Sequence, residues 1–259
     1  MHARTGAITA AALALVLVLS GCQTQSGKAE GPGPAHENDT AERAPGANPA
    51  HGAEPSPLAA RTTEIPGLGP KTRQRMGLKT RQALVVRAEG ADANQGTAVL
   101  YERDSAGAWR PASDIWPTRN GVRGWTEHHR QGDLRTPIGV YGLTDAGGLL
   151  KDPGTKLPYD QGPGFTPPNR TNVEGEPLTG AFDYVVAVNY NRVAGHTPLS
   201  WTRPLGDARG GGIWLHVEHG AGTQGCVGLP RERMKELLRR LDPAAEPVVV
   251  MGPVAALAA

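Results

Sequence analysis

The chain has 259 residues and a formal charge of +2, from 27 Lys and Arg against 25 Asp and Glu. Its cations are scattered rather than gathered into a run, which removes the electrostatic case for a nucleic-acid partner. All Phe, Trp and Tyr residues lie between Tyr101 and Trp214, so the first hundred positions lack the bulky side chains of a packed core, and the Gly- and Pro-rich remainder reads as turn-rich and mostly β.

The chain opens "MHARTGAITAAALALVLVLSGC". A short basic start leads into an apolar run from Ala7 to Leu19, too short to cross a bilayer comfortably and suited to a signal peptide over residues 1–21. Leu19-Ser20-Gly21-Cys22 resembles the lipobox of bacterial lipoproteins. That resemblance implies cleavage before Cys22 and a diacylglycerol on its sulfur, with the protein exported and held at the outer face of a bacterial membrane, facing the cell wall. Cys226 is then the single thiol of the mature chain, and no intrachain disulfide can form. An unpaired cysteine in an oxidising compartment is a liability unless it is buried or used.

Residues 22–64 follow as a linker rich in Ala, Gly, Pro, Glu and Ser. Such a segment buries too little surface to offset the entropy of ordering, so it reads as a disordered tether. The 42 residues from Gln23 to Glu64 would span roughly 35 Å as a coil and about 130 Å when drawn out. The folded domain is expected over residues 65–254, as a monomer.

Within that domain, Ala83 to Arg87 reads as a strand whose hairpin partner, Gly96 to Glu102, follows the turn "GADANQ". Further strands are expected at Gly139 to Leu143, Asp183 to Asn189, Ile213 to Val217 and Pro247 to Met251. Between them lies "DPGTKLPYDQGPGFTPPNRTNVEGEPLTG", a segment without periodicity, of the kind that covers a cleft or moves freely. One helix is clear: Pro230 suits its first position, Met234, Leu237, Leu238 and Leu241 repeat at helical spacing, and Asp242-Pro243 ends it.

The chemistry concentrates just before that helix, in "GIWLHVEHGAGTQGCVGLP". A cysteine attacks as its thiolate, so it needs a base or cation beside it. Strand alternation puts Ile213, Leu215 and Val217 on one face and Trp214 and His216 on the other, with His216 at the strand end facing away from the apolar side. Gly225 removes a side chain from the approach to Cys226 and frees backbone N–H groups for an oxyanion. The positive end of the following helix is placed to lower the thiol pKa. His219 is the alternative base, but it lies past the strand, where a loop histidine is usually solvated. A zinc site on His216, His219 and Cys226 is disfavoured, because histidines three apart on extended chain point in different directions.

Thr223-Gln224-Gly225-Cys226-Val227-Gly228-Leu229, downstream of a histidine at a strand end, resembles the signature of the L,D-transpeptidase catalytic domain family (YkuD type). "GDLRTPIGVYGL", Gly132 to Leu143, is similar to a second segment of that family. Gly228 departs from the family's usual Arg, Gln224 from its frequent His, and the interval from His216 to Cys226 is short. The resemblance implies a mainly β fold, a β-sandwich with long loops and one or two short helices. It implies a peptidoglycan L,D-transpeptidase. Cys226 would form a thioester with a tetrapeptide stem peptide, and a diaminopimelate amine of a second stem would resolve it. His216 would be the general base and acid, oriented by the Val217 carbonyl, and Gly225 backbone would serve the oxyanion. No metal, nucleotide or organic cofactor is implied. Two alternatives stand beside this reading: an L,D-carboxypeptidase-type hydrolase on the same site, and a non-catalytic wall-binding lipoprotein.

Overall fold

The computed structural model describes residues 63–259 apart from Arg170 and Val173. The signal peptide, Cys22 and all but the end of the tether lie outside the described residues.

Strands β1 (Gln82–Ala88) and β2 (Gln95–Arg103) form the expected antiparallel hairpin, with Val85 opposite Val99. Three short strands follow, β3 (Trp109–Pro111), β4 (Trp116–Arg119) and β5 (Trp125–Thr126), and β6 (Thr136–Pro137) pairs in parallel with β5. The remaining strands are β7 (Gly139–Gly148), β8 (Tyr159–Gln161), β9 (Val185–Val188), β10 (Trp214–Val217), β11 (Val227–Leu229) and β12 (Val248–Pro253). Neighbours run β1-β12-β7-β9-β10-β11-β4-β2, and β2 pairs back with β1. The two faces of the sandwich are thus joined in a closed ring, which leaves few open edges.

Period-two alternation builds two apolar layers from the same strands. Leu84, Val86, Leu100, Val249 and Met251 point into the main core with Leu215, Val227 and Leu229. Their neighbours Ala83, Val85, Tyr101, Val248 and Val250 point outward into a second cluster with Ile65, Leu68, Met76 and Leu257. Two short helices, α1 (Pro70–Arg75) and one at the C-terminal end (Val254–Leu257), carry parts of that second layer. This is why β1 and β12 read as nearly continuous apolar runs.

The expected amphipathic helix, α2, spans Arg231–Arg240. Pro230 is its N-cap rather than its first residue, with extended ψ, and its carbonyl accepts the first helical N–H groups from Arg233 and Met234. Met234, Leu237 and Leu238 bury against the main core, where each such side chain contributes about 1.5–3 kcal/mol. At the far end Gln82 accepts the Asp242 N–H at 2.8 Å and donates to the Arg240 carbonyl at 2.8 Å, tying the helix to β1.

Every expected strand shifts by a residue or more at one or both ends, and two differ most in length. β7 runs on to Gly148, with an irregularity between Leu143 and Ala146. There Asp145 enters the interior because Arg192 pairs with it at 2.9 Å, both side chains being almost wholly buried. β9 is shorter than expected at its start, where Asp183 instead pairs with Arg231 of α2.

Candidate active site

β10 and β11 lie side by side and parallel, with Leu215 opposite Val227 and His216 opposite Gly228. One step before β11, Cys226 is therefore level with Trp214. The Trp214 N–H donates to Cys226 Sγ at 3.4 Å, and the thiol points back to the Gly212 carbonyl at 3.6 Å. Alternation along both strands brings Trp214, His216, Cys226 and Gly228 to one face.

The loop carrying Cys226 is held from beneath by two threonines. Thr223 Oγ1 donates to the Cys226 carbonyl at 2.6 Å and accepts the Gly225 N–H at 3.1 Å. Thr136 Oγ1, fully buried, accepts the Gly121 N–H at 2.8 Å and donates to the same carbonyl at 3.4 Å. The second sequence segment thus buttresses the cysteine loop. Gly225 has a φ of 135°, and a Cβ there would sit 3.0 Å from the Arg135 carbonyl oxygen and 3.4 Å from His129 Cε1. Only glycine meets both demands.

His216 is 1% exposed. Its Nδ1 lies 2.8 Å from the Val217 carbonyl oxygen. A carbonyl can only accept, so Nδ1 carries the proton and Nε2 keeps its lone pair. Burial pushes the His216 pKa down to about 4, the bond to Val217 opposing it. Burial likewise pushes the Cys226 thiol up to about 11, against the Trp214 N–H that favours the thiolate. Near neutral pH the site therefore rests as a thiol and a neutral imidazole.

Four sequence-based expectations need correction here. His216 does leave the apolar side of its strand, but the face it joins is roofed: Phe182 meets it edge-on at 5.3 Å and meets Trp214 at 5.1 Å. His219 is not a solvated loop histidine, since its ring stacks on His216 at 5.3 Å and 5° between planes. Helix α2 does not lie at the sulfur, because β11 carries the chain away before the helix starts, and a dipole effect fades within a turn. The Gly225 N–H, moreover, is already engaged by Thr223, whereas the Cys226 N–H has no acceptor among the described residues.

His216, His219 and Cys226 all line one pocket of about 250 Å³. The aperiodic segment supplies its other wall, through Pro167, Pro168, Asn172, Leu178 and, just beyond, Phe182. Glu176 from that segment accepts the Ala221 N–H at 2.7 Å and the Asn172 amide at 2.9 Å. The Ala221 bond holds its carboxyl below the usual range, and so the turn leading to the cysteine stays pinned. Sequence reading missed Glu176 and Phe182, which stand in no motif. Gln224 is exposed at the pocket rim. Gly228 has a physical reason, as a Cβ there would come 3.1 Å from Glu218 Cα.

A buried neutral imidazole with a fixed tautomer, a partly accessible thiol and a free backbone N–H form the parts list of acyl transfer. The family model of the L,D-transpeptidase catalytic domain matches residues 92–250. No curated protein matches the sequence.

Proposed function

Because the chain belongs to the L,D-transpeptidase catalytic domain family, we propose that Cys226 and His216 carry out acyl transfer on peptidoglycan stem peptides. The observation that carries this is the fixed His216 tautomer, which leaves Nε2 as a proton acceptor on the face shared with Cys226. As Sγ attacks the carbonyl between the third and fourth stem residues, His216 Nε2 takes the thiol proton. The carbonyl oxygen gathers negative charge toward the Cys226 N–H. The C–N bond then breaks, and the proton passes to the leaving amine.

The thioester retains the energy of the cleaved amide. A diaminopimelate amine of a second stem attacks it, loses a proton to His216, and displaces the sulfur, which recovers that proton. Both resting pKa values oppose a preformed thiolate, so proton transfer accompanies attack rather than preceding it. A pocket of about 250 Å³ is small beside the roughly 300–1,000 Å³ of sites that enclose whole ligands. It suits the reacting end of a peptide.

Incubating the wild type and Cys226→Ala with disaccharide tetrapeptide, followed by mass spectrometry, tests the reading. Cross-linked dimer from the wild type alone is the expected product. Tripeptide without dimer would mean that water resolves the thioester, and neither product would overturn catalysis.

A further inference from the structure

Arg203, which meets the thiol's neighbour Gly212 rather than the thiol itself, is left unused by this acyl-transfer scheme. Gly212, whose carbonyl the thiol approaches, also faces the guanidinium of Arg203, with Nη2 3.5 Å from where a Gly212 Cβ would stand. Gly211 is side-chain-free for the same reason, because a Cβ there would overlap Arg203 Nε. The guanidinium lies over the Trp201 ring, 5.0 Å from its centroid, although Trp201 itself is 80% exposed. Arg203 Nη1 donates to the carbonyls of Ser200 at 3.1 Å and Thr202 at 3.4 Å.

Nε and Nη2 are left over. Among the described residues neither finds an acceptor, and no carboxylate comes within the 4.0 Å of an ion pair. Asp207 acts on Arg203 only from beyond that distance, and the neighbouring cation, Arg192, is already paired with Asp145. Burial pulls the Arg203 pKa down. A half-buried cation with a stacked, fixed plane and two free donors is short of an anion, and a carboxylate matches that fork.

The direction of the strand says which part of a substrate would bring it. His216 must stand at the leaving amine. Trp214 is level with the sulfur, β10 carries the chain on from there to His216, and Gly212, whose φ of 66° turns the backbone, stands with Arg203 before the strand begins. Arg203 and His216 thus flank Cys226 from opposite directions, and whatever Arg203 binds belongs to the acyl half of the donor. We infer that Arg203 determines specificity by binding a side-chain carboxylate on the acyl residue. It thereby selects stems whose third residue is diaminopimelate with that carboxylate free.

This inference rests on the acyl-transfer reading for its direction, but its test does not need turnover. Three tetrapeptide stems serve as probes, with diaminopimelate, its side-chain amide, or lysine at the third position. Their affinities are measured by calorimetry for the full chain carrying Cys226→Ala, with and without Arg203→Met. The free carboxylate is expected to bind about tenfold or more tightly than the other two, and Arg203→Met is expected to erase that advantage while leaving the amide and lysine stems unchanged. Arg203→Lys should restore part of it. In the catalytic chain, Arg203→Met should raise KM for the free-carboxylate stem by a similar factor with kcat held within about twofold. Equal affinity for all three stems, or an equal loss on Arg203→Met, overturns the assignment. A chain that ranks the stems as expected yet makes no product contradicts acyl transfer and leaves the Arg203 assignment standing.

Discussion

At the scale of single residues, the site is defined by two groups kept neutral by the same cause. Removal from water disfavours both the Cys226 thiolate and the His216 imidazolium, raising one pKa to about 11 and lowering the other to about 4. The resting thiol should therefore alkylate slowly near neutral pH, and its iodoacetamide rate should climb roughly tenfold per unit from about pH 7 to 9. A plateau in that range would reveal a resting thiolate and contradict the account. The two histidines separate by anchoring. His216 is held through Nδ1 by Val217, whereas His219 Nδ1 is buried without a partner among the described residues. His216→Ala should lose about 10²–10⁴ of the acylation rate by a stem peptide, and His219→Ala should stay within about tenfold. The opposite ranking would make His219 the base. Alternation in "IWLHV" was enough to place Trp214 and His216 on one face. It could not show that the face is covered, because the cover, Phe182, comes from a distant loop that no local pattern connects to β10.

At the scale of elements, the hairpin of β1 and β2 and the helix α2 were legible because their apolar spacing is regular and their ends carry turn residues or Pro. The tail of β7 was not. "TDAGG" has poor strand propensity, and it joins the sheet because distant groups make room: Arg192 neutralises Asp145, and a Cβ at Gly147 would strike Phe165. The segment around Thr136 was legible as a turn into a strand, but its contact with the cysteine loop needs the closed ring to bring it there. Thr136→Val removes the acceptor of the buried Gly121 N–H and the donor to the Cys226 carbonyl. It should lower unfolding free energy by about 1–3 kcal/mol, measured by denaturant titration, and slow acylation with it. Thr136→Ser should recover most of the loss. A Val variant as stable as the wild type would mean the buttress is idle.

At the scale of the whole molecule, ring closure turns sequence order into proximity. β10 and β11 are joined by only a short glycine-bearing loop, yet they stand parallel, so the strand-end histidine and the cysteine before the next strand face the same pocket. The matched family segment, residues 92–250, contains both strands and the Thr136 buttress. The tether and the lipid anchor expected at Cys22 remain sequence-based expectations, since those residues lie outside the described part of the chain. Acyl transfer by this site requires that Cys226 hold the donor as a thioester. It is tested most directly by mixing the chain with tetrapeptide stem, quenching in acid within a turnover, and reading the intact mass and the modified peptide. The expected result is an adduct equal to the stem minus its terminal residue, located on Cys226 and absent from Cys226→Ala. Release of the terminal residue by Cys226→Ala at the wild-type rate, with no adduct in either protein, would contradict it.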